Sequence, residues 1–112
     1  MTIEDLERFG ANTEEGISRC MGNRDFYLKL VRIMPKDRNF GVLYDAIARN
    51  DLDAAFEASH SLKGALGNLS LTPLFTAVQE ITELLRSRTQ TDYSPLVEKI
   101  RKLHKELEAL CD

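Results

Sequence analysis

The chain has 112 residues, enough for one buried core, and we expect a single domain over residues 1–112. Its 43% hydrophobic and 29% charged residues are typical of a globular protein, and a net charge of -3 with interleaved signs argues against a nucleic-acid partner. Its apolar runs are too short to cross a membrane, and its first residues lack a signal-peptide pattern. Cys20 and Cys111 have neither CxxC nor metal-ligand spacing, which favours a reduced, cytoplasmic setting.

Two short helices are predicted at the beginning of the chain. The first has an apolar stripe that consists of Ile3, Leu6 and Phe9. Gly10 can end this helix, and Asn12 or Thr13 can cap the second one. The second helix is predicted to have an apolar inner face formed by Ile17, Cys20 and Met21. We expect Gly22 to end it.

A longer helix is predicted over residues 24–34, followed by a turn at Pro35. Its apolar residues occur around much of the circumference, which indicates a well-buried helix. They are Phe26, Tyr27, Leu30, Val31, Ile33 and Met34. The next helix is predicted to end near Asn50 and has an apolar stripe that consists of Phe40, Leu43 and Ile47.

The last three helices have sharper starts. Asp51 can cap the first of them, and Thr72-Pro73 and Ser94-Pro95 each place a capping hydroxyl before a proline. The helix from Pro73 to about Arg88 is predicted to bury Leu74, Ala77, Val78, Ile81 and Leu85. The last helix is predicted to bury Leu96, Ile100, Leu103, Leu107 and Leu110. Their spacing could also indicate a coiled coil, but it covers barely two heptads. We therefore expect an all-α fold, an antiparallel up-down four-helix bundle with additional short N-terminal helices.

The stretch SHSLKGALGNLS, residues 59–70, is unusual for a helix interior. It contains two glycines, each of which costs about 1 kcal/mol relative to alanine. A helical wheel places His60 opposite the apolar stripe, which consists of Ala55, Leu62, Leu66 and Leu69. Gly64 and Gly67 lie on the same side as His60, away from the core, so close helix packing does not explain them. We expect both glycines to clear an approach to the imidazole from outside.

An exposed imidazole beside the ammonium group of Lys63 is suited to the transient capture of a phosphoryl group. Neutral histidine is a nucleophile at physiological pH, and a lysine is a compact positive charge for phosphate oxygens. The sequence has no glycine-rich nucleotide loop, no Walker motif and no magnesium cluster. We therefore expect no cofactor or metal site of its own and a phosphoryl group supplied by another protein.

The motif HSLKGALGNLS resembles the signature of histidine phosphotransfer (HPt) domains. The matching residues are His60, Leu62, Lys63, Gly64, Asn68 and Leu69. Members are small four-helix bundles that relay phosphoryl groups between receiver-domain aspartates in two-component phosphorelays. The specific likeness covers about residues 43–86. It implies that His60 is phosphorylated on its exposed ring nitrogen, with Lys63 supporting the phosphate.

The resemblance also implies the partners: response-regulator receiver domains and a hybrid histidine kinase. Any Mg²⁺ would then belong to the receiver. The chain would be a phosphorelay intermediate without an autokinase site, and a monomer is the default expectation. It begins at Met1 and ends with a complete amphipathic helix, which favours a free-standing protein.

Two positions depart from the family pattern. Ser70 stands where a glycine is common, and Thr82 stands where many members carry Glu or Gln to hold the imidazole. Thr82 itself or Gln79 could replace that side chain, and Arg86 could supply a second cation near the phosphate. An ordinary solvated helix edge is the alternative for these last three residues.

Further residues near the motif suggest a docking surface. Phe56 lies four residues before His60, either packed at the core edge or as part of an apolar collar for a receiver domain. Glu57 and Asn68 would belong to the polar rim of that collar. His104, on the charged side of the last helix, is expected to be a surface residue.

Two other interpretations remain open at the level of sequence. The chain could be the phosphoacceptor domain of a larger chemotaxis-type histidine kinase, which shares the His-Lys-Gly pattern. It could also be a non-catalytic interaction or metal-binding bundle using His60, His104 and acidic residues. Lone histidines on separate helices make the metal interpretation the weaker one.

Overall fold

Helices joined by short turns make up the computed structural model, which describes residues 1–111. Within that range the chain forms seven α-helices, one short 3-10 helix and no strand, so the all-α prediction is confirmed. The helices are α1 (Ile3–Phe9), α2 (Thr13–Arg19), α3 (Arg24–Ile33), the 3-10 helix (Met34–Lys36), α4 (Asn39–Ala48), α5 (Leu52–Asn68), α6 (Thr72–Arg86) and α7 (Ser94–Cys111). None of these helices combines the length and the apolar character needed to cross a membrane.

Side-chain caps fix where several helices begin. Asn12 caps α2 by accepting a hydrogen bond from the backbone N–H of Glu15, and Asp51 caps α5 in the same way through Ala54. Thr72 does not act as the predicted cap, because α6 begins at Thr72 itself and the Thr72 hydroxyl donates to the carbonyl oxygen of Ser70.

The core lies between α4, α5, α6 and α7, with α1 and α3 packed against it. Successive members of the α4–α7 series contact one another, and all the predicted core residues of α6 are buried. The largest side chains with under 2% exposure are Tyr27, Phe40, Leu6, Leu43, Leu62, Leu66, Leu71, Leu74, Ile81, Leu85, Ile100 and Leu107. The chain is therefore a helical bundle in which the N-terminal helices contribute to the same core.

The predicted burial is wrong at Met21 and on two sides of α3, whereas Cys20 is buried as predicted. Met21 is 96% exposed because α2 ends at Arg19 and the backbone then adopts a left-handed conformation at Met21, with φ of 59°. Helix α3 fully buries only one narrow face, with Tyr27 and Val31 on it. Phe26 and Ile33 are 47% and 55% exposed on its other sides.

Helices α2 and α3 hold the end of α5 through specific contacts. The Tyr27 hydroxyl donates to the carbonyl oxygen of Leu69 at 2.9 Å, and the backbone N–H of Asn12 donates to Ser70 at the same distance. Ser70 has a left-handed backbone with φ of 54°, which explains why a glycine suits this position. Its hydroxyl donates to Glu15, so the strained residue is anchored on α2.

Candidate functional site

His60 projects from the exposed side of α5. The opposite side of this helix is buried in the core and consists of Ala55, Ala58, Ser59, Leu62 and Leu66. His60 itself is exposed, as the helical wheel predicts. Within residues 1–111 its imidazole makes no hydrogen bond and no ion pair. Within that range neither ring nitrogen is engaged in a hydrogen bond, on a residue that is exposed as a whole.

The ring of Phe56 stacks on this imidazole. The two ring centroids lie 5.5 Å apart and the ring planes differ by 18°. Phe56 and His60 are separated by one helical turn, which places their side chains on the same face of α5. Phe56 is half-buried and packs against the core edge, which agrees with the first interpretation of this residue. Its place in a docking collar stays a prediction.

Two arginines, the last residue of α6 and one from the turn that follows it, lie over the ring of Phe56. The guanidinium carbon of Arg86 is 5.1 Å from the ring centroid, and that of Arg88 is 5.8 Å from it. Both distances are within the range of a cation–π interaction. Arg88 also forms an ion pair with Asp53 on α5 and donates to the carbonyl oxygen of Leu85. The contacts of Arg88 link the segment after α6 to the first turn of α5.

The carboxylate of Glu83 contacts both Lys63 and Arg86, the two residues that the sequence analysis predicts near the phosphate. Glu83 lies with one oxygen 3.6 Å from Nζ of Lys63 and the other 3.4 Å from Nε of Arg86. The side chain of Lys63 is 25% exposed, and those of Glu83 and Arg86 are about half exposed. Sequence reasoning missed Glu83, although its position three residues before Arg86 was a usable signal. The cluster carries one net positive charge beside His60.

The two glycines of the motif have different surroundings. A Cβ atom on Gly64 would meet nothing within 4 Å, so the approach beside His60 is open there, as predicted. A Cβ on Gly67 would lie 3.1 Å from the ring of Phe75 on α6. The expectation that Gly67 faces open space is therefore wrong, because this glycine allows α6 to pack closely.

Neither residue suggested as a substitute for the usual Glu or Gln forms a hydrogen bond with the imidazole. Thr82 is fully buried, and its hydroxyl donates to the carbonyl oxygen of Val78 on its own helix at 2.6 Å. Thr82 thus cannot support His60, which corrects the sequence-based expectation. Gln79 is exposed and makes no hydrogen bond within residues 1–111.

The predicted rim residues lie on the exposed surface of α5. Glu57 and Asn68 are both exposed. Asn68 borders an open apolar cleft of about 340 Å³ between α5 and the α3 region, and its lining residues include Leu30, Ile33 and Leu69. Sequence reasoning did not assign α3 to this surface. The apolar residues Leu30 and Ile33 of α3 were the available signal.

His104 is not the surface residue that the sequence suggests. Its ring stacks on Phe40 with centroids 3.8 Å apart, and Nε2 lies 2.8 Å from the carbonyl oxygen of Pro35. Because a carbonyl only accepts, Nε2 of the neutral ring carries the proton and Nδ1 accepts from the hydroxyl of Tyr44 at 3.0 Å. Burial raises the pKa of Tyr44 to about 12, so this hydroxyl stays protonated. Both nitrogens of His104 are thus occupied.

In the part of the chain that the structure describes, no group of three or more His, Cys, Asp or Glu side chains is arranged to hold a metal ion.

A comparison with known protein families gives a match over residues 37–112 to the family described as the Hpt domain. Comparisons with curated proteins and with solved structures found no match. The matched range contains α4–α7, and therefore His60 and its charged neighbours, while α1–α3 precede it.

Proposed function

Because the chain belongs to the Hpt domain family, whose members carry out histidine phosphotransfer in phosphorelays, we propose that His60 accepts a phosphoryl group from the aspartate of one receiver domain and passes it to another. The observation that supports this role is an exposed imidazole on α5 that makes no hydrogen bond within residues 1–111. In contrast, both ring nitrogens of His104 are engaged in hydrogen bonds.

The proposed step is a direct displacement at phosphorus. The lone pair of one His60 ring nitrogen forms the N–P bond, while the bond from phosphorus to the aspartyl oxygen breaks and its electron pair stays on the carboxylate. The proton on the other ring nitrogen can leave to solvent. Such transfers depend mainly on in-line positioning and charge stabilisation, so a small site is sufficient.

Lys63 and Arg86 are the proposed cations for the phosphoryl oxygens. Lys63 lies one turn after His60 on α5, and Arg86 approaches from α6 through its contacts with Glu83 and Phe56. A phosphoryl group on His60 brings two negative charges to a cluster that already has a positive excess. This complementarity favours the phosphorylated state.

The receiver domain is proposed to dock on the exposed side of α5. The open position at Gly64 permits close approach to His60, and the half-buried ring of Phe56 supplies apolar surface. Glu57 and Asn68 form the polar rim, with the apolar cleft between α3 and α5 beyond Asn68. Any Mg²⁺ needed for the transfer is proposed to reside in the receiver, and the exchange is proposed to occur in the cytoplasm.

Incubation with a radiolabelled, phosphorylated receiver tests the proposal. We expect acid-labile, base-stable label on the wild-type protein and none on the His60→Gln variant, with equal helical circular dichroism for the two. His104→Gln is the matched control and should retain the label. Label that persists in His60→Gln would overturn the assignment. A parallel incubation with ATP alone should give no label, since the sequence contains no nucleotide-binding motif.

A further inference from the structure

Among the described residues 1–111, no side chain hydrogen-bonds to the ring of His60, yet the ring has a defined neighbour. Phe56 is stacked beside it, and neither Thr82 nor Gln79 forms a hydrogen bond with it. We propose that Phe56 is the positioning residue for His60, and that its stacked ring replaces the hydrogen bond that usually holds the imidazole. This inference rests on the proposed function of His60 as the phosphoacceptor.

The stack has the geometry of an attractive aromatic pair. A centroid separation of 5.5 Å with planes 18° apart matches an offset stack. An exposed histidine on a helix otherwise samples several side-chain conformations, of which only some direct a nitrogen toward a donor. Contact with the ring of Phe56 reduces the number of side-chain conformations that His60 can adopt. The imidazole is therefore partly ordered before the phosphodonor arrives.

Phe56 can orient another ring because it is itself held. One side of Phe56 packs against the core edge, and the guanidinium groups of Arg86 and Arg88 lie over its ring. Arg88 is fixed in turn by its ion pair with Asp53 and its hydrogen bond to Leu85. These contacts connect α5 with α6 around the aromatic pair.

Stacking has a chemical consequence that a hydrogen bond lacks. An acceptor such as a carboxylate would fix the ring proton on one nitrogen and remove that nitrogen from the reaction. Phe56 restrains the plane of the imidazole and leaves both nitrogens open. We therefore expect neutral His60 to populate both tautomers, in contrast to His104, whose partners select one.

Nuclear magnetic resonance of the wild-type protein tests the contact directly. We expect nuclear Overhauser effects between the ring protons of Phe56 and the imidazole protons of His60, and nitrogen shifts that indicate a mixture of tautomers. Absence of those Overhauser effects, or a single tautomer for His60, would overturn the proposal. This measurement requires no variant and no phosphodonor.

Kinetics with phosphoramidate, a small donor that needs no docking surface, separate positioning from partner binding. We expect Phe56→Leu to slow phosphorylation of His60 by phosphoramidate about 3- to 10-fold, and Phe56→Trp to retain most of the rate because an aromatic ring remains. Phe26→Leu makes the same change on the exposed surface of α3 and should leave this rate unaltered.

Each kinetic outcome has a distinct meaning. The positioning role is supported if Phe56→Leu is phosphorylated more slowly by phosphoramidate while Phe56→Trp keeps most of the wild-type rate. Loss only with the phosphorylated receiver would make Phe56 a docking residue and overturn it, as would unchanged rates with both donors. A wild-type protein that accepts no phosphoryl group from either donor would instead refute the proposed function, whatever the resonance experiment shows.

Discussion

Lys63 and Glu83 form an ion pair between α5 and α6, with Nζ 3.6 Å from a carboxylate oxygen. The same carboxylate contacts Arg86, so both candidate phosphate ligands have an internal anionic partner before any phosphoryl group arrives. A phosphoryl group on His60 must therefore compete with Glu83 for these cations.

Replacing Glu83 by Gln removes that competitor. We expect the phosphohistidine of Glu83→Gln to live about 2- to 5-fold longer than that of the wild type, the effect of one exposed ion pair. Decay of the isolated phosphoprotein measures this lifetime. Glu80→Gln is the matched control, because Glu80 is exposed on the same helix and makes no ion pair within residues 1–111. A shorter lifetime in Glu83→Gln would show that the carboxylate positions the cations.

Lys63→Ala tests the opposite change in charge. We expect transfer from a phosphorylated receiver to slow by about tenfold, because a charge-assisted contact to the phosphoryl oxygens is lost. The fold should persist, since the ammonium group lies at the surface. Lys99→Ala on the exposed side of α7 serves as control. Unaltered transfer in both directions would exclude Lys63 and leave Arg86 as the next candidate.

Gly64 and Gly67 should respond differently to the same substitution. Gly64→Ala adds a methyl group to open space and should stabilise the protein by about 0.5–1 kcal/mol through helix propensity. Gly67→Ala should gain less, because the ring of Phe75 lies 3.1 Å from the new Cβ and must shift. Thermal or urea unfolding compares the two variants. An equal increase in the free energy of unfolding for the two variants would show that the ring of Phe75 moves aside without an energetic penalty.

A larger side chain at Gly64 should obstruct the partner while leaving the fold intact. Side chains on a helix lean toward its N-terminus, so the glutamine of Gly64→Gln would cover part of His60. We expect transfer from a receiver to fall sharply and phosphorylation by phosphoramidate to fall much less. Equal loss with both donors would mean that the open position is not part of a docking surface.

His104→Gln should destabilise the protein by about 2 kcal/mol, since it removes the stack on Phe40 and changes hydrogen bonds to Tyr44 and Pro35. Urea unfolding measures this loss. Phosphorylation of His60 should remain normal at temperatures where the variant is folded. A stability equal to that of the wild type would show that the ring cluster contributes little to the bundle.

Periodicity and local motifs predicted much of this fold because they report on single helices. The spacing of apolar residues correctly identified the buried face of α6, and the helical wheel correctly placed His60 on the outside of α5. Both depend on residues within a few turns of each other. The up-down order of the bundle and the roles of the site residues stay predictions.

Features that depend on distant contacts were missed. His104 is partnered by Tyr44 and Pro35, which are 60 and 69 residues away in the sequence. Met21 looked apolar enough for a core, but a left-handed turn directs the chain away from it. For His104 the deciding interactions lie outside the window in which a helical pattern can be read, whereas Met21 was missed because apolar periodicity does not reveal a local left-handed turn.

The anchoring of α5 by Tyr27 has a practical consequence for anyone excising or grafting this unit. A fragment trimmed to the matched stretch 37–112 would lack Leu6, Tyr27 and Val31, all fully buried, and would leave the carbonyl oxygen of Leu69 without its donor. We expect such a fragment to aggregate or unfold on mild heating. Fusions and chimaeras built from this chain should therefore be spliced before α1, not at the edge of the recognised motif.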